Sequence, residues 1–234
     1  MMTRNLSLCL MLATLSLSWP ATTLAQQSKV ITFDRSDCKP VQGRSNERMG
    51  TMYIYLNDRN ILIETSDKDY SFLFTDEAVI TLGHKKKVYS VLSYDRVEAI
   101  ISRQVDEGNK YHEKTGHWLS NHEIRLTDET DIISGVRVRK VIDRWGDKYA
   151  GETWVSSELI PMSLRQRMKS IYPEDYWKKV SLKPTILDII MQFGIPLKVV
   201  NEEQQICESQ IPEDSSPGKS FQVPSGYRKI EKVN

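Results

Sequence analysis

The sequence lacks an excess of charge of either sign. Its 234 residues include 32 basic and 31 acidic side chains. The first 25 residues contain Arg4 and no acidic residue, so residues 26–234 hold 31 of each. A protein that binds nucleic acid normally presents a basic surface to the phosphates, and we expect no nucleic-acid partner. The lysine run 85–87 fits a solvated turn better than a contact with an anionic membrane.

Long apolar runs are also absent, except near the N-terminus. Arg4 precedes an apolar stretch from Leu6 to Leu17, about 12 residues against the roughly 20 that a membrane-spanning helix needs. Pro20 and a small-residue ending at Ala25 follow, which is the pattern of a cleaved secretory signal peptide. We predict cleavage between Ala25 and Gln26 and a periplasmic or secreted monomer without a transmembrane segment.

Cysteine is scarce, which restricts metal and redox chemistry. Of the three cysteines, Cys9 lies in the signal peptide, without the small residue expected just before a lipid-modified cysteine. Cys38 and Cys207 remain, and an even count in an oxidising compartment favours a disulfide over a metal or redox role. We therefore predict a disulfide between Cys38 and Cys207.

The sequence contains no nucleophile elbow of the G-x-S-x-G type. The stretch DKYAGETWVSSELIP does bring the carboxylates of Asp147 and Glu152 near several hydroxyls. Its alternation over residues 149–156 indicates a strand, Ser157 suits a helix N-cap, and Glu152 suits a solvated or cross-strand-paired residue. We predict a structural role for this stretch and no catalytic residues.

Three histidines recur at five-residue intervals, His112, His117 and His122, and suggest a metal array. Five residues reverse the face of a strand and rotate a helix by about 140°, so no regular element aims all three at one ion. A loop is the alternative, with Glu113 and Glu123 as oxygen ligands. A polar surface loop is the simpler interpretation, and we expect no metal and no cofactor.

Two-residue alternation is abundant. A short strand at Val30–Asp34 precedes an antiparallel meander from Met52 to Leu92, whose GHKKK segment suits a hairpin turn. Later strands are HWLSNHEIRL, VRVRKVID, KYAGETWVS, IPLKVV, QQICESQI and FQVPSGYRKIEKV. We assign residues 26–48 to an N-terminal strand and loop and residues 49–234 to a single domain.

Helical spacing appears twice, at Val97–Val105, ended by Gly108-Asn109, and over Glu158–Phe193, with a break at YPEDYW. Together the patterns predict an α+β fold, a curved and mostly antiparallel sheet of about eight to ten strands that wraps two or three helices.

The predicted strands contain many aromatic residues. Two or three helices of modest length would not readily cover all of them. Alternation gives each strand two faces, and the core needs only one of them. Phe72 and Phe74 share a face with Tyr70, whereas Tyr89 and Trp154 come from other strands. We predict that Phe72, Phe74, Tyr89 and Trp154 line a cleft for an apolar ligand.

Three stretches carry a family resemblance: ISGVRVRKVIDRWGDKYAGETWVSSELIP, GIPLKVV and FQVPSGYRKI. The chain from roughly Met49 to Val233 resembles the bacterial envelope domain called domain-of-unknown-function family 4412. The resemblance implies a half barrel like that of the outer-membrane lipoprotein carriers and a non-enzymatic protein, although the family's methionine-rich helical segments are missing at Val97–Val105. The best-matching residues are Gly135, Glu152–Val155, Leu159–Pro161, Gly194, Pro196–Leu197, Phe221, Val223–Pro224 and Gly226–Tyr227.

We therefore expect a non-enzymatic exported protein that binds a lipid, an acyl chain or a lipidated partner in the hollow of its sheet. The alternative is an envelope structural or interaction protein without a small ligand. A hydrolase or metalloenzyme that uses residues 112–123 is the third and least favoured hypothesis.

Overall fold

The computed structural model describes residues 29–33, 51–66, 69–169, 171–173, 175–182, 184–201, 206–211 and 219–231. The predicted signal peptide, its cleavage between Ala25 and Gln26, and Cys38 all lie outside these residues. No helix within them combines the length and the hydrophobicity that crossing a membrane requires.

One open sheet dominates the described part of the chain, and its strands are β1 (Lys29–Phe33), β2 (Met52–Leu56), β3 (Ile61–Thr65), β4 (Tyr70–Phe74), β5 (Ala78–Gly83), β6 (Val88–Ser93), β7 (His122–Ile133), β8 (Val136–Trp145), β9 (Lys148–Ser156), β10 (Ile195–Asn201), β11 (Ile206–Gln210) and β12 (Arg228–Lys229). The spatial order is β12-β6-β5-β4-β3-β2-β1-β11-β10-β9-β8-β7. Every neighbouring pair is antiparallel except β12 and β6.

Four helices accompany the sheet in this part of the chain: α1 (Tyr94–Thr115), α2 (Met162–Lys169), α3 (Tyr176–Lys179) and α4 (Ile186–Gln192). The predicted α+β class with a curved, mostly antiparallel sheet is confirmed. Both predicted counts were too low, since twelve strands and four helices are present among the described residues. The additional elements include α3, which is too short to show a periodicity.

The predicted meander corresponds to β2–β6. Met52, Ile54 and Leu56 are buried on β2 while the tyrosines between them are half-buried, as an alternating strand requires. The N-terminal strand β1 pairs with β2 on one side and with β11 on the other. It therefore joins the two halves of the sheet and is part of the same structural unit as the rest of the domain.

The β2–β6 half of the sheet is buried on both faces. Phe74 and Ile61, which are cross-strand partners, lie in the main core with residues of the helices. Leu62, Leu73 and Leu82 point to the opposite face and are also buried. Residues 219–231 contact this opposite face, because Lys219 forms an ion pair of 2.7 Å with Glu64 and β12 pairs with β6.

Helix α1 is longer than predicted, because Gly108 does not end it. A Cβ at Gly108 would lie 2.2 Å from the carbonyl oxygen of Lys179, so this glycine serves close packing of α1 against α3. The helix ends instead at Gly116, whose φ is 73° and whose N–H donates to the carbonyl of His112 at 2.8 Å. A left-handed glycine is a common helix terminator.

Ser157 is not a helix N-cap, contrary to the prediction. Residues 157–160 form a turn, with the Ile160 N–H donating to the Ser157 carbonyl at 3.2 Å, and α2 begins at Met162. A helix started at Glu158 would need an N–H from Pro161 for its first hydrogen bond, and proline has none. Proline is tolerated at a helix start, which explains why α2 follows it.

Two late segments also differ from the prediction. The predicted break YPEDYW contains the start of α3, with Tyr176 and Trp177 buried. The described residues of FQVPSGYRKIEKV form only the two-residue strand β12, because Pro224 and Gly226 turn the chain. The Tyr227 N–H donates to the Pro224 carbonyl at 3.3 Å, and Gly226 has a φ of 84°.

Candidate ligand-binding pocket

A pocket of about 570 Å³ lies between strands β7–β9 and helices α2 and α4. Its walls combine seven apolar side chains, six charged side chains and three uncharged polar ones. They are Leu126, Asp128, Thr130, Arg137, Arg139, Val155, Ser157, Glu158, Ile160, Arg165, Met168, Lys169, Ile190, Met191, Gln192 and Phe193.

The apolar side chains form the floor of the pocket. Val155, Ile160, Met168, Ile190 and Met191 are all buried, and four of these five belong to the main hydrophobic core. A ligand that reaches the floor therefore contacts the same apolar surface that stabilises the fold.

The charged side chains form the rim of the pocket, on its solvent side. Arg137, Arg139 and Lys169 are exposed, and Arg165 is half-buried. The carboxylates of Asp128 and Glu158 also line the pocket. The rim therefore carries an excess of two positive charges in a chain whose total charge is close to zero.

An irregularity in β7 shapes one wall. The β7–β8 register shifts between Leu126 and Thr130, which places the Thr127 carbonyl beside the guanidinium of Arg139. Arg139 donates to this carbonyl from Nε at 3.1 Å and from Nη2 at 2.8 Å. Its Nη2 also lies 3.2 Å from Asp128, so Arg139 is held against β7.

Helix α2 supplies the opposite wall. Arg165 Nη2 donates to the Ile160 carbonyl at 3.1 Å, which fixes the guanidinium over the turn before the helix. Its Nε is buried and has no hydrogen-bond partner among the described residues. A buried donor without an acceptor is costly, and this atom lies on a side chain that lines the pocket.

Gly194 allows α4 to sit close to β9. A Cβ at this position would lie 2.6 Å from the backbone carbon of Ser156, and the φ of Gly194 is 140°. Ile189 of α4 consequently packs with Val141 and Val155 of the sheet. The close approach positions Gln192 and Phe193 at the pocket wall.

The four predicted ligand-lining residues do not share one surface, and none of them lines this pocket. Phe74 is fully buried in the core, and Phe72 and Trp154 pack against the core. Tyr89 pairs with Leu82, which pairs with Ser71, so alternation places Tyr89 on the face opposite Phe72. The predicted residues therefore do not form a common cleft.

The three histidines have separate environments. The ring of His112 stacks on Trp118 at 4.0 Å between centroids, and His117 is exposed. His122 is fully buried; its Nε2–H donates to the carboxylate of Asp143, and its ring stacks on Trp145. The prediction of one polar surface loop was therefore wrong for His112 and His122. Across the described residues, no three His, Cys, Asp or Glu side chains are placed to hold a metal ion.

The stretch DKYAGETWVSSELIP provides both a strand and part of the pocket. Glu152 forms an ion pair of 3.2 Å with Lys140 of the neighbouring strand, which confirms the predicted cross-strand pairing. A hydrogen bond to Glu129 is the main cause that raises the pKa of Lys140; burial opposes it, and the hydrogen bond to Glu152 adds a smaller increase. Ser157 and Glu158 line the pocket.

A second polar cluster fastens the C-terminal segment to the sheet. Ser71 Oγ lies 2.6 Å from His84 Nε2, and His84 Nδ1 lies 2.7 Å from the Tyr227 hydroxyl. Ser71 is only 1% exposed, and none of the three residues lines the pocket. The cluster therefore has the features of a structural clasp rather than of a site that a substrate reaches.

The basic rim was not predicted from the sequence, although two patterns point to it. Arg137 and Arg139 are two residues apart on a strand and hence share a face. Arg165 and Lys169 are four residues apart on a helix and hence lie side by side. The spacing alone does not reveal that these two pairs lie across one pocket. Cys207 is half-buried on β11, and its pairing with Cys38 stays a prediction.

Comparisons with known proteins give little further information. No family model matches the chain, and no curated protein does, so the resemblance to domain-of-unknown-function family 4412 stays a hypothesis. Among solved structures, one of PNGF-II is 14% identical with a TM-score of 0.42, and the match covers 87% of this chain and 31% of that one. An uncharacterized conserved protein from Thermus thermophilus is 9% identical with a TM-score of 0.37, covering 88% of this chain and 91% of that one.

Proposed function

We propose that the protein is a non-enzymatic exported binding protein that shelters a lipid, an acyl chain or the lipid of a lipidated partner in the pocket between β7–β9, α2 and α4. Its scaffold would then be a half barrel like that of the lipoprotein carriers. The observation that carries the proposal is the apolar floor, which continues the main core into a pocket of about 570 Å³. Ligand sites typically measure about 300–1,000 Å³ and are mostly apolar.

The energetics favour an alkyl chain as the ligand. Each buried methylene contributes about 0.8 kcal/mol, so a chain of about eight methylenes gains roughly 6 kcal/mol before the cost of ordering it. Met168 and Met191 belong to the floor, and methionine side chains adapt to irregular or variable shapes. The pocket thus suits a class of chains better than one rigid molecule.

A pocket-filling substitution tests the proposal. Leu126 lines the pocket and is half-buried, so Leu126→Trp should occupy the space of an alkyl chain and abolish binding of an environment-sensitive fatty-acid probe. Ile132→Trp is the matched control, because Ile132 lies on the same strand and is 72% exposed. Equal probe binding by both variants would show that the alkyl chain of the probe binds outside this pocket.

The second candidate function is an envelope structural or interaction protein without a small ligand. The burial of both faces of β2–β6 favours it, because that half of the sheet is filled rather than hollow. Absence of probe binding to the wild type, with no lipid in the purified protein, would make this the preferred function. Metal analysis and activity screening before and after chelation test the hydrolase or metalloenzyme hypothesis.

Export is part of the same proposal. The apolar run from Leu6 to Leu17 and the small-residue ending at Ala25 support it. The intact mass of the exported protein should correspond to a chain that begins at Gln26. A mass that includes residues 1–25 would contradict processing, and a diacylglycerol adduct would indicate a lipoprotein.

A further inference from the structure

The rim of the pocket has a positive charge that the composition of the chain does not explain. Basic and acidic residues are almost equal in number overall, 32 and 31, yet four basic and two acidic side chains line this pocket. The local excess therefore arises from the fold, which brings together one strand and one helix that each contribute two basic residues.

The basic side chains differ in how far the protein already neutralises them. Arg139 is held by the Thr127 carbonyl and by Asp128. Within the described part of the chain, neither Arg137 nor Lys169 has an ion-pair partner, and Arg165 bonds only a carbonyl. Three positive charges at the pocket are therefore available to a ligand.

Arg165 gives the strongest indication of a missing partner. Its Nε is buried without an acceptor among the described residues, while its Nη2 is held by the Ile160 carbonyl. A guanidinium presents its N–H groups as a planar fork that matches the oxygens of a carboxylate or a phosphate. An anion at this side chain would supply the acceptor that the protein does not.

The two kinds of lining side chain differ in burial. The floor residues Ile190 and Met168 are fully buried, whereas Arg137 and Lys169 are exposed. An amphipathic ligand with its alkyl chain on the floor would place its polar end among the basic side chains. The charges at the rim thus select the chemistry of that end.

We propose that Arg137, Arg165 and Lys169 bind an anionic group, a carboxylate or a phosphate, at the polar end of the ligand. This inference rests on the proposed function, since it assigns the head group of the ligand whose chain occupies the pocket. Uncharged amphiphiles of the same chain length bind less tightly, because their oxygens carry no negative charge to pair with the basic side chains and accept only the weaker neutral type of hydrogen bond.

The test compares two probes with the same alkyl chain, a fluorescent fatty acid and its methyl ester, on the full mature protein. The ester lacks the negative charge and adds one methyl group. The wild type should bind the carboxylate about tenfold more tightly, as expected when a charge-assisted hydrogen bond is gained. The double variant Arg137→Gln, Arg165→Gln should lose this preference and retain the ester. Arg144→Gln is the matched control, because Arg144 is exposed on the same strand β8 and does not line the pocket.

Each remaining outcome has a defined meaning. Equal affinity of the wild type for both probes, or equal loss of both in the double variant, would overturn the head-group assignment and leave the proposed function intact. If neither probe binds, the proposed function fails, and titration with inorganic phosphate then tests the anion site by itself. Phosphate binding that the double variant loses would support a site for a free anion. Absence of phosphate binding to the wild type would refute the anion site. Circular dichroism checks that each variant is folded. If the double variant Arg137→Gln, Arg165→Gln is unfolded, the double variant Arg137→Gln, Lys169→Gln takes its place, because both of its substituted residues are exposed.

Discussion

Replacing Gly108 by alanine should destabilise the protein, although the same change stabilises an isolated helix. In a helix interior alanine is favoured over glycine by about 1 kcal/mol. At Gly108, however, the new Cβ would lie 2.2 Å from the Lys179 carbonyl oxygen and 2.9 Å from both the carbonyl carbon and Cβ of the same residue. The closest of these atoms belong to the backbone, so α1 and α3 must separate to relieve the contact.

The magnitude follows from two opposing contributions. Overpacking typically costs about 1–3 kcal/mol, and a Cβ only 2.2 Å from a backbone oxygen puts the cost in the upper part of that range, about 2–3 kcal/mol. The gain in helix propensity offsets about 1 kcal/mol of it. We expect a net loss of about 1–2 kcal/mol, which lowers the melting temperature by roughly 2–8 °C for a domain of this size.

Urea denaturation of the wild type and Gly108→Ala, followed by circular dichroism, measures this difference. Lys110→Ala is the control, because Lys110 is exposed two residues away on the same helix and should change stability by no more than about 0.5 kcal/mol. If Gly108→Ala proved as stable as the wild type or more so, the close contact between α1 and α3 would be refuted.

Three further predictions follow from the same structure. Burial raises the pKa of Tyr176 to about 12 from its ordinary value of 10.0 and also raises the pKa values of Tyr94 and Tyr172. Because the folded state then holds these protons more tightly than the unfolded state, the free energy of unfolding should fall from about pH 10 to pH 12. A free energy of unfolding, measured with denaturant, that stays constant over this range would contradict the burial of these tyrosines. Tyr227→Phe removes the partner of His84 Nδ1, so it should cost about 1 kcal/mol and speed amide hydrogen exchange in residues 219–231; unchanged exchange there would disprove the clasp. Denatured mature protein should not react with a thiol reagent before reduction, and labelling of both Cys38 and Cys207 would exclude their disulfide.

Local patterns predicted the first half of the sheet well because each strand there follows its neighbour after a short turn. The alternation of Met52, Ile54 and Leu56 gave the correct buried face of β2. The same reasoning failed for the function of the aromatic residues, because it assumed that one face of each strand is open. Leu73 and Leu82 are buried on that other face, which Lys219 and Tyr227 reach from far along the chain.

Glycine and proline misled the sequence analysis where their role depends on tertiary contacts. Gly108 suggested a helix end, yet its purpose is the approach of Lys179, 71 positions later in the numbering. Pro161 determines that α2 begins at Met162, whereas the hydroxyl of Ser157 had predicted an earlier helix start. The pocket depends on the same kind of information, because Arg137 of β8 and Arg165 of α2 line one pocket only through the tertiary packing of the helices and the sheet.

The most direct test of the account is mass spectrometry of the lipids extracted from the natively exported protein. We predict an anionic amphiphile with an alkyl chain, present in the wild type and in Ile132→Trp and absent from Leu126→Trp. Extracts without such a molecule, or extracts that contain the same molecule whether or not the pocket is filled, would contradict the claim that this pocket holds an alkyl chain.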